Sequence, residues 1–194
     1  MSNIIQILLD EHRNIDKLLL VLEHELEVFD RSEEPDYEIL RAVIEYFQDY
    51  PENCHHPKED VVFEKLKLRD PAAAARIGDA EAEHKIETQR LRRLVEAVEE
   101  ILAGREFLRQ AFHDVVNDFI KHQRQHMDKE ERQLFPAAVQ RLRPEDWAAI
   151  DARLDDRKDP LFDGVTEGKF HALGQTILRW ERETGENRVK ANRA

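Results

Sequence analysis

The chain has 194 residues, of which 41% are hydrophobic and 37% charged, enough for one domain with a real core, or one domain with an appendage. A formal net charge of -12 repels phosphate backbones and anionic lipid, and no basic stripe reverses it locally, so neither nucleic acid nor a membrane is expected as a partner. The stretch from Met1 to Leu9 reads against a signal peptide, and no apolar run approaches the ~20 residues of a membrane span, so the expected location is cytoplasmic.

Gly numbers 6 and Pro 7, and long stretches free of both favour helix nearly everywhere. The first helix is expected from Asn3 to Phe29, with Ile5, Leu8, Leu9, Ile15, Leu19, Leu22 and Leu26 on a stripe that passes through His12. Asp30 to Asp36 breaks it. A second helix runs from Tyr37 to about Leu68, kinked or briefly broken around Tyr50 to Asn53 by Pro51 and Pro57. The third is expected from Pro71 to Leu102, with Ile77, Leu91, Val95 and Val98 on the stripe of His84, and Ala103-Gly104 at its end. The fourth runs from Arg105 to Leu142, where Phe112, Val115, Val116, Phe119, Leu134 and Val139 share the face of His122, His126 and Glu130. Four long amphipathic helices with short links predict an all-α fold, an antiparallel four-helix bundle over residues 1–142. Residues 143–194 form a C-terminal helical appendage packing on the bundle: a short helix begins at Pro144-Glu145-Asp146, Asp159 to Gly164 is a loop, and a last helix spans Thr166 to Glu183.

The chemistry sits in two His-x-x-x-Glu spacings, His55 to Glu59 and His126 to Glu130, each of which projects an imidazole and a carboxylate from one helix face. The tandem His55-His56 is resolved by its neighbours. Positions 55, 59, 62, 63 and 66 carry His, Glu, Val, Phe and Leu, whereas 56, 60, 64 and 67 carry His, Asp, Glu and Lys, so His55 and Glu59 are expected inward and His56 outward. The same test prefers Glu130 over Glu131, since Glu130 continues to Leu134. Two carboxylates facing a core, with no Lys or Arg on their stripes, need a compensating charge, and a cation is the simplest. Imidazole with carboxylate and no thiolate cluster suits iron, manganese or zinc. Cys54 reads as a buried inert thiol, which agrees with a reducing compartment.

If Glu59 and Glu130 bridge two metals and His12, His55, His84 and His126 split between them, each ion has about four protein donors. A bridging oxide or hydroxide then leaves an octahedral ion one position for dioxygen, peroxide or nitric oxide. His122, one turn before His126, is either a seventh ligand or its supporting partner. His24, His113 and His171 are expected to be exposed. The Glu-x-x-His spacings of ferritin-like di-iron proteins occur at Glu52–His55 and Glu81–His84, but they fall on consecutive helices and leave His12 and His126 without a role.

The stretches Asp10-Glu11-His12-Arg13, His55-His56-Pro57-Lys58-Glu59-Asp60, Glu83-His84 and His126-Met127-Asp128-Lys129-Glu130-Glu131-Arg132-Gln133-Leu134-Phe135-Pro136 resemble those of the hemerythrin family, in its bacterial HHE cation-binding branch. The resemblance covers about residues 1–142 and implies a four-helix bundle around two non-haem iron ions, oxo- or hydroxo-bridged. Two departures matter: Thr88 stands where oxygen-carrying members have a second histidine on the third helix, and Glu130 replaces an Asp one residue further along. A site richer in carboxylate favours ferric iron and redox turnover over plain oxygen carriage. The expected function is binding of, or response to, dioxygen, peroxide or nitric oxide. An enzyme that decomposes peroxide or reduces nitric oxide and a metal- or redox-sensing interaction module are the alternatives, and a homo-oligomer is compatible with the sequence.

Overall fold

A computed structural model describes residues 4–105, 108–154, 159–162 and 168–180, and among them every regular element is helical. Helix α1 spans Ile4–Asp30. After a turn in which Ser32 takes a positive φ, Asp36 caps α2 (Tyr37–Tyr50) by accepting from the N–H groups of Glu38 and Ile39. The chain then passes without a break through a π-helical turn, Pro51–His55, into α3 (His56–Arg69). Asp70 caps α4 (Pro71–Ile77), and Asp79 caps α5 (Ala80–Leu102). Helix α6 (Arg109–Lys129) leads through a second π-helical turn, Glu130–Leu134, into α7 (Phe135–Arg141). A short α8 (Pro144–Asp151), a 3-10 turn at Gly168–Phe170 and a helix over residues 171–180, here α9, complete the described chain.

The expected third helix is in fact two. Gly78 sits at φ 106 and ψ -153, a conformation open essentially to glycine, and the caps at Asp70 and Asp79 start each piece afresh. Val139, expected inward, is 48% exposed, because the π turn before α7 shifts the helical phase beyond Leu134. The helix expected from Arg105 begins at Arg109, after an extended Leu108, while the expected start at Thr166 and end at Glu183 lie outside the described residues.

Side chains from Ile15 to Leu26 of α1, with most of the inward residues of α2, α5 and α6, form one apolar core. Ile4 and Leu8 join α3, α4, α7 and α8 in a second. Between these cores lies a polar layer. Along α1 the order is Leu8, then Glu11 and His12, then Ile15; along α2–α3 it is Cys54, then His55 and Glu59, then Val62. Along α4–α5 it is Ile77, then His84 and Glu87, then Leu91, and along α6–α7 Met127, then Glu130, then Leu134. Each helical segment thus crosses the polar layer once, and successive segments enter it from opposite cores. Trp147 and Ile150 of α8 belong to the second core, whereas Leu161, Phe170, Leu173 and Ile177 belong to the first. No described helix is long and apolar enough to cross a membrane.

Candidate metal centre

The donor atoms of His12, His55 and Glu59 form one group and those of His56, Glu59, His84 and His126 another, with the atoms of each group within 4.8 Å of one another. Glu59 belongs to both. Its Oε1 lies 3.1 Å from His12 Nε2 and 3.0 Å from His55 Nε2, while its Oε2 lies 3.4 Å from His84 Nε2. Glu130 also spans the groups, with Oε2 at 3.4 Å from His12 Nε2 and 3.3 Å from His126 Nε2. Glu87 closes the second group, 3.1 Å from His56 Nε2 and 3.8 Å from His126 Nε2. All these side chains are buried.

The outer nitrogens of four histidines meet carboxylates. His12 Nδ1 lies 2.9 Å from Glu131, His55 Nδ1 2.8 Å from Glu11, His84 Nδ1 3.3 Å from Asp60 and His126 Nδ1 3.4 Å from Glu83. Such partners fix the ring and direct Nε2 inward as the donating atom. Lys58, buried beside Tyr50, pairs with Glu11 and neutralises it, so this cation does not compensate Glu59 or Glu130.

Among the described residues, Glu59 Oε2, both oxygens of Glu87 and of Glu130, and the Nε2 atoms of His84 and His126 are buried without a hydrogen bond. Buried polar atoms are rarely left so, and orphaned acceptors and imidazoles that converge on one place fit a cation. Nitrogen and oxygen donors without sulfur fit iron, manganese or zinc. Cys54 packs in the apolar core instead.

Without a metal, protons compensate the carboxylates. Burial alone would depress the His12 imidazole, yet Glu130 and Glu59 outweigh it and carry His12 up to about 11. Burial is likewise outweighed at His84, carried to about 11 by Asp60 and Glu59, and at His126, carried to about 9 chiefly by Glu130 and Glu83. Burial and the adjacent Glu59 charge push Glu130 up to about 7.

His12, His55, Glu59, His84, His126 and Glu130 therefore come together as expected from the sequence. His122 does not: it is half-buried beside the group, its pKa lowered by burial, and it is absent from the converging donors. The outward reading of His56 is overturned. It is 7% exposed and stacks on His84 with ring centroids 4.1 Å apart, because the π turn ending at His55 widens the helix and brings adjacent residues to the same seam. Glu87, three residues after His84, was missed although that spacing places it on the same face. Glu52 bonds instead to Thr88, and neither is among the converging donors. His24 and His171 are exposed, but His113 is half-buried and pairs with Asp30 at 2.7 Å.

A buried cluster of imidazoles and carboxylates carried on helices fits a cation by its chemistry. The family model of the hemerythrin HHE cation-binding domain matches residues 3–138, and the chain belongs to this family. No curated protein and no solved structure matches it.

Proposed function

We propose that the chain holds two iron ions in its polar layer and binds or responds to dioxygen, peroxide or nitric oxide there. The observation that carries this reading is the pair of donor groups sharing Glu59. His12 and His55 would hold one ion, and His56, His84, His126 and Glu87 the other, with Glu59 and Glu130 common to both. The two halves are then unequal. The second has donors enough to approach a full octahedral set, whereas the first keeps room for an outside ligand. When bound, iron supplies redox chemistry and Lewis acidity; the protein supplies a dry, fixed set of donors and carboxylates that hold each imidazole.

The four segments that cross the polar layer in alternating direction support an antiparallel four-helix bundle over residues 1–142, and the contacts of Trp147 and Ile150 with one core and of Leu161, Phe170, Leu173 and Ile177 with the other support reading residues 143–194 as an appendage to it. The composition and single cysteine support a cytoplasmic protein. Elemental analysis of protein purified without chelator tests the reading: about two irons per chain are expected, falling to near zero in Glu59→Ala. Full metal content in that variant refutes the shared centre.

A second reading, turnover of peroxide or nitric oxide, draws support from Tyr50 and Lys58, both bonded to Glu11 beside the less saturated half. Repeated peroxide turnover that disappears in His55→Ala, with Cys54→Ser unaffected, separates an enzyme from a binder that reacts once.

A further inference from the structure

We propose that Asp159, in the C-terminal segment formed by residues 159–162 and 168–180, is a positioning residue for the first half of the metal centre, so that docking of this segment and filling of that half favour one another. The coupling rests on the two-cation reading above. A line of buried side chains carries it: Asp159, Tyr46, Tyr50, Glu11 and His55. Asp159 Oδ1 accepts the N–H groups of Leu161 and Phe162, which shapes the turn at that point, and its Oδ2 accepts the Tyr46 hydroxyl at 2.7 Å. Phe162 and Phe170, both from the segment, close on the Tyr46 ring edge-on. Tyr46 and Tyr50 stand about one turn apart on α2, with ring centroids 5.6 Å apart. Tyr50 donates to Glu11 Oε1 at 2.9 Å, and the other oxygen of Glu11 lies 2.8 Å from His55 Nδ1.

Burial singles out this line among the carboxylates that stand behind the histidines. The Glu11 side chain is 8% exposed, whereas those of Glu83, Asp60 and Glu131 are 28%, 42% and 43% exposed. At an exposed carboxylate water replaces a lost partner; at a buried one the protein must supply the bonds, so Glu11 stands where its donors hold it. Tyr50 is one of those donors, and Tyr46 and the segment pack Tyr50 from the side away from Glu11. With the segment docked, Glu11 holds the His55 ring so that Nε2 lies 3.0 Å from Glu59. Undocking opens Tyr46 to water, frees Tyr50 to move away from Glu11 and loosens His55. The first half feels this most, because His12 and His55 are its imidazoles, whereas the second keeps His84 and His126, whose carboxylate partners lie on other segments. The linkage is reciprocal: a cation that needs His55 held in place favours the docked segment by the same factor.

Zinc is the probe, since it brings no redox chemistry. Wild-type protein titrated against a competing chelator is expected to take up two zinc ions, the tighter in the half richer in donors, and His55→Ala to keep only the tighter one. Tyr46→Phe, which removes the hydroxyl and leaves the ring, and Asp159→Ala are each expected to weaken the weaker step about tenfold and to leave the tighter step unchanged. Asp36→Ala, which uncaps the far end of α2, serves as the control and leaves both steps as they are. The reciprocal effect is read on the unsubstituted protein by hydrogen exchange over residues 168–180, which slows about tenfold when the weaker zinc binds and does not slow further in His55→Ala at the same zinc concentration. Equal weakening of both steps, no weakening in Tyr46→Phe and Asp159→Ala, the same weakening in Asp36→Ala, or exchange that ignores the weaker zinc overturns the coupling alone. A wild-type chain that takes up fewer than two zinc ions overturns the reading of the site and the coupling with it.

Discussion

Loading the metal-free protein with a divalent ion is expected to release about three protons per chain near neutral pH. His12 and His84, held near 11, and His126, held near 9, all carry protons at about pH 7.5. A ligating imidazole donates an unprotonated nitrogen, so each of the three loses one proton while keeping the other for its carboxylate partner. Glu130, raised to about 7, adds only a fraction of a proton. Each displaced proton contributes about tenfold in apparent affinity per pH unit, so three give a dependence of up to ~1,000-fold per unit below about pH 9. Calorimetric titration with zinc, which avoids redox chemistry, in buffers of differing ionisation enthalpy reads the proton count directly. Release of fewer than about one proton would refute the view that protons hold the places of the metals.

In the metal-free protein the same imidazoles have folded pKa values above the unfolded value, so their stabilisation is complete below about pH 6.5 and is lost as pH rises through 9 to 11. Its Tm should fall across that window, and that of zinc-loaded protein much less, as scanning fluorimetry would show. Glu59→Gln, which keeps the shape and removes the shared charge, should bind less than half the wild-type metal by elemental analysis. Gly78→Ala forces a side chain into a glycine conformation and should cost ~1–3 kcal/mol by urea denaturation. Asp159→Ala strips the partner of the buried Tyr46 hydroxyl and of the Leu161 and Phe162 N–H groups, and should cost ~1–3 kcal/mol in the same assay.

The residues whose inward placement was legible in the sequence are those on uninterrupted helix. His12 lies on α1 between Leu8 and Ile15, and a period of 3.6 places it inward without further information. The His-x-x-x-Glu pairs are equally local, because four residues return to the same face whatever the rest of the chain does. Long-range partners were not legible. Spacing assigns no role to Glu11, Glu83 or Lys58; Glu11 is buried by Tyr50 and Lys58, which approach from another segment, and only tertiary packing makes that pairing. The join between α4 and α5 was also missed, since a single Gly inside a helical pattern does not reveal a positive φ.

His56 and Val139 were misplaced for one shared reason, which can be argued from the prolines. A proline ring inside a helix clashes with the carbonyl four residues earlier and leaves it without its donor. Pro57 stands four residues after Asn53 and Pro136 four after Arg132, and both carbonyl-bearing residues lie within the π turns, Pro51–His55 and Glu130–Leu134. In each turn the backbone instead closes a wider ring, from His56 N–H to the Pro51 carbonyl and from Phe135 N–H to the Glu130 carbonyl. The wider turn rotates all that follows relative to a 3.6-residue period. At the first turn it brings His56 beside His55, so one segment offers two imidazoles and Glu59 to the polar layer. At the second, Glu130 and Leu134 stay inward and the residues beyond are rotated, so that Ala138 is buried and Val139 turns out. Helical periodicity counted through the second of these prolines without a correction, and treated the first as a kink. A proline two residues beyond an inward His or Glu, in a segment otherwise helical, is therefore the signal that would have placed His56 correctly.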